Sequence, residues 1–265
     1  MTPRKRIEHI TRWIKSYASS NKVKTLVVGI SGGIDSSVVS TLCARTSLDT
    51  IVVQMPIRQN RVLDQRSSKH AGWLIDNFPH NVRHMSMDLT PVFNSFEKRL
   101  LPFCGDSDSQ ELAFANSRSR LRMMTLYQIA QSHHGIVVGT GNRVEDFGVG
   151  FFTKYGDGGV DISPIGDCLK TEVWDMGRDL GILEEIINAE PTDGLWNDGR
   201  TDEQQLTMTY PELEQAMHFD TLMPDDLEVY TMDAKQKRNL RKYQQIRQKN
   251  LHKMLPIPVC TFPGE

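Results

Sequence analysis

One stretch near the amino terminus limits the possible folds more than any other. Residues 24–30 form a short, apolar and β-branched run, which is typical of a buried parallel strand. A glycine-rich turn, Ser31-Gly-Gly-Ile-Asp-Ser36, follows at once, and a helix-forming stretch continues from Val38. A strand, a tight turn and a helix in this order predict an α/β protein with a parallel sheet.

The same alternation continues along the chain. Its periodicity predicts further strands at 50–55, 82–89 and 135–139. Helices are predicted at 7–17, 63–78, 111–133, 171–188 and 234–253. Polar or glycine-rich stretches predict loops at 103–110, 140–166 and 191–203. Together these elements predict a doubly wound, mostly parallel sheet with helices on both faces.

Composition excludes several classes of protein. The 265 residues include 31 Lys plus Arg and 33 Asp plus Glu, so a globally basic nucleic-acid binder is not expected. No apolar run approaches the roughly 18 residues of a membrane span, and residues 1–18 are too charged for a signal peptide. The four cysteines, Cys43, Cys104, Cys168 and Cys260, form no CxxC pair. We therefore expect a cytoplasmic protein with reduced thiols, no zinc site and no disulfide framework.

The turn at 31–36 carries the first chemical signal. Glycines let the backbone approach a ligand closely, and the following helix begins with free N–H groups that favour an anion. Ser31, Ser36 and Ser37 add hydroxyl donors, so the turn is suited to a pyrophosphate. Asp35 would repel phosphates unless a cation lay between them, which predicts Mg²⁺. The alternative is a simple tight turn that caps a helix.

The turn resembles the pyrophosphate loop of the N-type ATP pyrophosphatases. These enzymes cleave ATP between the α and β phosphates and adenylylate a substrate. The turn is not the GxxxxGK[ST] loop, since no lysine follows, and it is not GxGxxG. The resemblance implies an adenine nucleotide alpha hydrolase-like fold.

A second motif narrows the resemblance to one group. Residues 151–161, Phe-Phe-Thr-Lys-Tyr-Gly-Asp-Gly-Gly-Val-Asp, resemble the FxTKYGDGGxD segment of NAD synthetases. Upstream, Gly139, Thr140 and Glu145 resemble the family's GTxxxxE element. The chain departs from many members in having Gly141-Asn142 instead of Asp-His, and its loop before Lys154 is one residue longer.

The resemblance implies a ligase that forms a C–N bond. NAD synthetases convert deamido-NAD to NAD by adenylylating the nicotinate carboxylate and letting ammonia displace AMP. Glutamine-dependent members carry a further amidase domain, for which 265 residues leave no room. We therefore expect a single domain over residues 1–265, without a glutaminase domain, that uses ammonia.

The resemblance also implies roles for individual residues. The residues expected to bind ATP are Gly29, Ile30, Ser31, Gly32, Gly33, Ile34, Asp35, Ser36, Thr140, Lys170 and Thr192. Asp35 and Glu145 would bind Mg²⁺. Taken alone, Glu145 is better explained as a solvated loop carboxylate, and Lys170 as a surface lysine at the start of a helix.

The second substrate has its own set of candidates. The residues expected to bind deamido-NAD are Arg120, Lys154, Asp161, His252 and Lys253. Arg118 and Arg122 share one helical face and Arg120 points the opposite way, so the three cannot serve one site. The match of residues 119–123 to the family's ARxRM places the substrate-binding role on Arg120.

Partners and alternatives complete the sequence-based expectations. Family members are typically homodimers, and the helix at 111–133 is the candidate interface. The basic helix at 234–253 favours a solvated charged face over a polynucleotide site, because it offers only Tyr243 for base stacking. No nucleic-acid or membrane partner is expected. The alternatives are another adenylylating ATP pyrophosphatase, either tRNA-modifying or GMP synthetase-like, and a non-catalytic nucleotide sensor.

Overall fold

The computed structural model describes residues 1–59, 61–105, 107–192, 201–222 and 231–262. In chain order its elements are α1 (Pro3–Ser20), β1 (Thr25–Gly29), α2 (Ile34–Arg45), β2 (Asp49–Gln54), α3 (Arg61–Asn77), β3 (Val82–Ser86), α4 (Thr90–Leu100), α5 (Ser107–Ser132), β4 (Gly135–Val137), α6 (Lys170–Leu180), α7 (Glu184–Ile187), α8 (Asp202–Leu206), α9 (Tyr210–Asp220) and α10 (Ala234–Met254). A 3₁₀ turn (Leu101–Phe103) follows α4, and a π-helical turn (Arg143–Val149) follows β4.

The described strands form one four-stranded parallel sheet in the order β3-β2-β1-β4. Val27 of β1 lies in register with Ile51 of β2 and Val137 of β4. The chain extends the sheet from β1 to β2 and β3 on one side, and then returns to place β4 on the other. The predicted doubly wound α/β fold is confirmed, and the strand order reverses between β1 and β4.

Helices cover both faces of this sheet. Leu26 and Val28 of β1 pack into the cluster formed with α1, α2 and α6, whereas Val27 belongs to the cluster formed with α4 and α5. All three side chains are fully buried. Alternate side chains of a strand point to opposite faces, so a continuous apolar run supplies both layers. Each such side chain contributes about 1.5–3 kcal/mol by burial.

The predicted first helix is confirmed as α1. Its N-cap Thr2 accepts a hydrogen bond from the backbone of Lys5, and Pro3 occupies the first turn, where its missing N–H is harmless. Ile7, Ile10 and Ile14 are buried at helical spacing, and charged residues face outward. In the described part of the chain, neither α1 nor any other helix is long and apolar enough to cross a lipid bilayer.

Three predictions about local structure are corrected. The loop expected at 103–110 is wrong from Ser107 onward, because serine and aspartate, which suggested a loop, also favour the first turn of a helix. The helix expected at 171–188 is two helices, since α6 ends at the left-handed residue Gly181. The loop expected at 191–203 lies partly outside the described residues, and its last two residues begin α8.

Candidate active site

A cavity of ≈ 530 Å³ opens at the carboxyl edge of the sheet, where β1 and β4 diverge. Its walls come from the turn after β1, from the segment after β4, from α5 and from the carboxyl-terminal part of α10. Doubly wound sheets bind ligands at this point of strand reversal, because the two outgoing loops separate there. The volume is within the range of small-molecule pockets.

The glycine-rich turn forms the floor of this cavity. Gly32 has a φ of 84°, and a Cβ atom at this position would lie 2.7 Å from the carbonyl oxygen of Leu63. Ser36 Oγ accepts from the Ser31 backbone at 3.2 Å, and Ser31 Oγ accepts from the Gly33 backbone at 3.2 Å. These bonds fix the turn at the amino-terminal end of α2, where backbone N–H groups and the helix dipole favour an anion.

Lys170 connects the two residues proposed as metal ligands. Its ammonium group lies 2.5 Å from Asp35 Oδ2 and 2.9 Å from Glu145 Oε1. Lys170 is only 3% exposed, whereas the two carboxylates remain 17% and 16% exposed toward the cavity. Asp35 belongs to α2, Glu145 to the π-helical turn and Lys170 to the first turn of α6. The fold therefore brings together three side chains that are far apart in the sequence.

The charges of this triad depend on one another. Burial alone would lower the pKa of Lys170, but the charges of Asp35 and Glu145 outweigh burial and the pKa rises. Burial would raise the pKa of Glu145, but Lys170 and the hydroxyl of Tyr210 bring it below its ordinary value. For Asp35, burial exceeds the effect of Lys170 and the pKa rises. Lys170 therefore carries the positive charge of the group.

Asn142, which the sequence marked only as a departure from the family pattern, and Tyr210, which no sequence pattern marked, support the two carboxylates. Asn142 Nδ2 donates to Asp35 Oδ1 at 3.1 Å, and Asn142 Oδ1 accepts from the backbone of Val144 and Glu145. The Tyr210 hydroxyl donates to Glu145 Oε1 at 2.5 Å. Burial and the charge of Glu145 raise the pKa of this hydroxyl, which keeps it a donor. The bonds from Asn142 to Asp35 and from Tyr210 to Glu145 join residues far apart in the sequence, so no local motif predicts them.

Gly141, which stands where many NAD synthetases have aspartate, has a steric explanation. A Cβ atom on Gly141 would lie 1.9 Å from Asp146 Oδ2, so the Asp146 carboxylate fills the space of a side chain at 141. Asp146 belongs to the π-helical turn, whose i→i+5 pattern takes one residue more than an α turn. The loop expected at 140–166 is therefore wrong over Arg143–Val149, which form an ordered helical turn. Burial and the charge of Glu145 raise the pKa of Asp146 well above its ordinary value.

The structure brings all the candidate ATP and metal residues to one cavity. Those lining it are Gly29, Ile30, Ser31, Gly32, Gly33, Ile34, Asp35, Ser36, Thr140, Glu145, Lys170 and Thr192. Among the described residues, no group of three or more His, Cys, Asp or Glu side chains has the arrangement of a metal site. Asp35 and Glu145 nonetheless offer the carboxylate oxygens that a hard divalent cation prefers, and both line the cavity.

The candidate deamido-NAD residues separate into three places. Lys253 lines the cavity and donates to the carbonyl oxygen of Phe152 at 2.8 Å. At its outer edge Arg120 Nε donates to the carbonyl of Lys154, and Lys154 Nζ donates to the carbonyl of His252. Asp161 lies apart, since its carboxylate accepts from the Tyr127 hydroxyl and from the backbone of Val137.

The three arginines of α5 divide as their spacing predicts. Arg118 is buried and its guanidinium lies 5.4 Å from the centroid of the Phe93 ring. Arg122 lines the cavity and donates to the carbonyl of Met55 at 3.0 Å. Arg120 is exposed on the opposite face. The prediction that Arg118 and Arg122 share a face, with Arg120 opposite, is confirmed.

Known proteins are similar to this chain in sequence and in architecture. The family model described as NAD synthase matches residues 6–256. An NH(3)-dependent NAD(+) synthetase of Alkaliphilus metalliredigens is 36% identical over 84% of this chain and 90% of its own length. That of Mycoplasma genitalium is 32% identical over 94% of this chain and 96% of its own length. The solved NMN synthetase of Francisella tularensis superposes with a TM-score of 0.84 and 28% identity, covering 99% of this chain and 100% of that chain. This chain belongs to the NAD synthase family.

Proposed function

We propose that the chain amidates the nicotinate carboxylate of deamido-NAD with ATP and ammonia, releasing AMP and pyrophosphate. The observation that carries this proposal is the meeting of Asp35, Glu145 and Lys170 beside an anion-binding turn at the point of strand reversal. The relatives named for ammonia dependence match nearly their full length, which favours one catalytic domain supplied with free ammonia.

The reaction has two steps. A carboxylate oxygen attacks the α phosphorus of ATP, and the bond from that phosphorus to pyrophosphate breaks. Ammonia then attacks the carbonyl carbon, the bond to AMP breaks, and a proton is released. Negative charge develops on phosphate in the first step and on the carbonyl oxygen in the second. Both steps need donors and positive charge fixed in place before the reaction.

The cavity residues meet this need. The serines at 31 and 36 and the first N–H groups of α2 would hold the phosphates, with Thr140 and Thr192 beside them. Lys170 would neutralise phosphate charge. Asp35 and Glu145 would hold Mg²⁺, which supplies positive charge against the phosphates when it is bound.

The second substrate would lie toward α5 and α10. Lys253 would meet the dinucleotide inside the cavity, and Arg120, Lys154 and His252 would meet it at the outer edge. The positive charges of Lys253, Arg120 and Lys154 suit an anionic pyrophosphate and carboxylate. Asp161 lies apart from these residues, and its carboxylate already accepts from Tyr127 and Val137, so we propose no substrate contact for it.

A homodimer fits the outer face of α5. Met124 is 60% exposed and lies one turn from Arg120, and Leu112, which is 51% exposed, lies at the cavity end of the same helix. Exposed apolar side chains of this size favour a protein interface. Sedimentation should give twice the chain mass of 30.2 kDa. Met124→Glu should dissociate the dimer, and Ile75→Glu, at another exposed apolar position, should leave it intact. An active monomeric wild type would contradict this assignment.

The activity is tested by following pyrophosphate and NAD together. Purified protein with ATP, Mg²⁺, ammonium and deamido-NAD should release both in equal amounts, and glutamine should not replace ammonium. Asp35→Ala should remain folded and lose turnover. Absence of both products from the wild-type reaction would refute the proposal, and wild-type rates in Asp35→Ala would refute the metal assignment.

Nicotinate mononucleotide is a second candidate for the acid that is amidated. The solved structure with a TM-score of 0.84 is described as an NMN synthetase, and both acids carry the same nicotinate carboxylate. They differ in the adenylate half, which only deamido-NAD has. Comparing kcat/KM for the two acids decides between them: the first candidate predicts a preference for deamido-NAD, and a preference for the mononucleotide would replace it.

A further inference from the structure

Tyr210 is a buried residue that joins α9 to the candidate active site. It is the first residue of α9, and its ring packs edge-to-face on Trp174 of α6, with centroids 5.7 Å apart. The Lys170 ammonium lies 4.8 Å from the centroid of the same ring. The ring therefore packs against α6, and its hydroxyl reaches the carboxylates of Glu145 and Asp202.

A second contact holds α9 against the first turn of α6. Glu214 accepts from the backbone N–H of Thr171 at 2.9 Å and from its hydroxyl at 2.8 Å. Thr171 directly follows Lys170. The position of Tyr210 is therefore fixed from two sides, by Trp174 and by the Glu214–Thr171 bonds. A side chain held in this way can orient a neighbour without losing further conformational entropy.

The hydroxyl of Tyr210 lies 2.5 Å from Glu145 Oε1 and 3.2 Å from Asp202 Oδ2. Lys170 also donates to Glu145 Oε1, at 2.9 Å. Two donors on one oxygen fix the rotation of the carboxylate. Lys170 has a further task in the proposed reaction, since it is the cation that would turn to the ATP phosphates. If Lys170 turned in this way, the Tyr210 hydroxyl would still donate to Glu145 Oε1.

We propose that Tyr210 is a positioning residue that holds Glu145 in the orientation needed to bind the divalent cation. This role rests on the proposed function, because it takes Glu145 as a cation ligand. It makes α9 part of the active site, although the helix contributes no residue to the predicted motifs. The aromatic ring serves packing, and the hydroxyl serves orientation.

The substitution Tyr210→Phe separates these two roles, because it keeps the ring and removes only the hydroxyl. We would measure Mn²⁺ binding by electron paramagnetic resonance, with α,β-methylene-ATP present so that no turnover occurs. Losing a hydrogen bond to a charged group should weaken Mn²⁺ binding about tenfold. The Mg²⁺ concentration for half-maximal rate should rise in parallel, with the KM for ammonium unchanged.

Tyr243→Phe is the matched control, since Tyr243 is a buried tyrosine of the same apolar cluster. It should bind Mn²⁺ as the wild type does. Unchanged Mn²⁺ affinity in Tyr210→Phe, or an equal loss in Tyr243→Phe, would overturn the role of Tyr210. Glu145→Gln distinguishes the two proposals: if it too binds Mn²⁺ normally, the metal assignment fails, and the positioning role fails with it.

Discussion

The ammonium group of Lys170 lies between two carboxylates. Without Lys170, a metal ion would be needed to neutralise their negative charge. Lys170 is buried, and both Asp35 and Glu145 depend on its charge. Removing one partner of a buried ion pair is strongly destabilising, because the remaining charges lose their compensation. The residue should therefore contribute to stability as well as to catalysis, and the two contributions can be measured separately.

Replacing Lys170 by methionine should lower the free energy of unfolding by about 3–5 kcal/mol. Added Mg²⁺ should then raise the melting temperature of the variant more than that of the wild type, because binding to the folded state stabilises it. Lys69→Met removes an exposed pair with Glu185 and should change stability by less than about 1 kcal/mol. Equal melting temperatures for Lys170→Met and wild type would contradict this account.

Gly141 is a second residue whose identity the structure explains. Gly141→Ala should cost about 1–3 kcal/mol, because its Cβ would overlap the Asp146 carboxylate. Removing that carboxylate as well, in Gly141→Ala with Asp146→Ala, should restore most of the loss. Gly72→Ala is the control: nothing lies within 4 Å of its Cβ position in α3, so it should stabilise by about 1 kcal/mol. Thermal or urea unfolding measures all three, and additive effects at 141 and 146 would refute the steric explanation.

At the scale of elements, α3 packs on α2 through a buried histidine. His70 Nε2 lies 2.9 Å from Ser40 Oγ, and the imidazole ring stacks near Trp73. Burial lowers the pKa of His70 to about 4. Because the unfolded chain binds a proton near pH 6.5, the contribution of His70 is complete above that pH and is lost as the pH falls toward 4.

This contact predicts the pH dependence of stability. Between pH 7 and pH 5 the free energy of unfolding should fall by about 2 kcal/mol through His70 alone. His70→Gln cannot gain the proton and should lack this decrease, so the difference between the two proteins isolates it from other titrating groups. Urea unfolding across the range gives the measurement. Parallel pH profiles for wild type and His70→Gln would contradict the assignment.

Secondary structure was predicted correctly where a single sequence pattern dominated. The apolar run at 24–30 predicted β1, because a strand buried on both faces needs no alternation of polar and apolar residues. The sequence pattern did not predict α9, although Thr209 and Glu212 form a capping box and Pro211 lies in the first turn. It also missed α4. α9 carries local start signals but weak periodicity, whereas α4 has apolar residues at helical spacing but no side-chain N-cap bond.

At the scale of the molecule, the cavity follows from topology. The strand order β3-β2-β1-β4 places the ends of β1 and β4 side by side, which brings Asp35 and Glu145 together. Motifs predicted both residues, because the turn and the 139–145 segment have recognisable patterns. They could not predict that Tyr210 meets Glu145, since that contact joins residues 65 positions apart.

The central claim is that the carboxylate is activated by transfer of AMP. Deamido-NAD labelled with ¹⁸O in both carboxylate oxygens tests it most directly, with mass spectrometry of the products after one turnover. Attack on the α phosphorus predicts one ¹⁸O in AMP, one in the amide of NAD and none in pyrophosphate. AMP without the label, or pyrophosphate carrying it, would contradict the account.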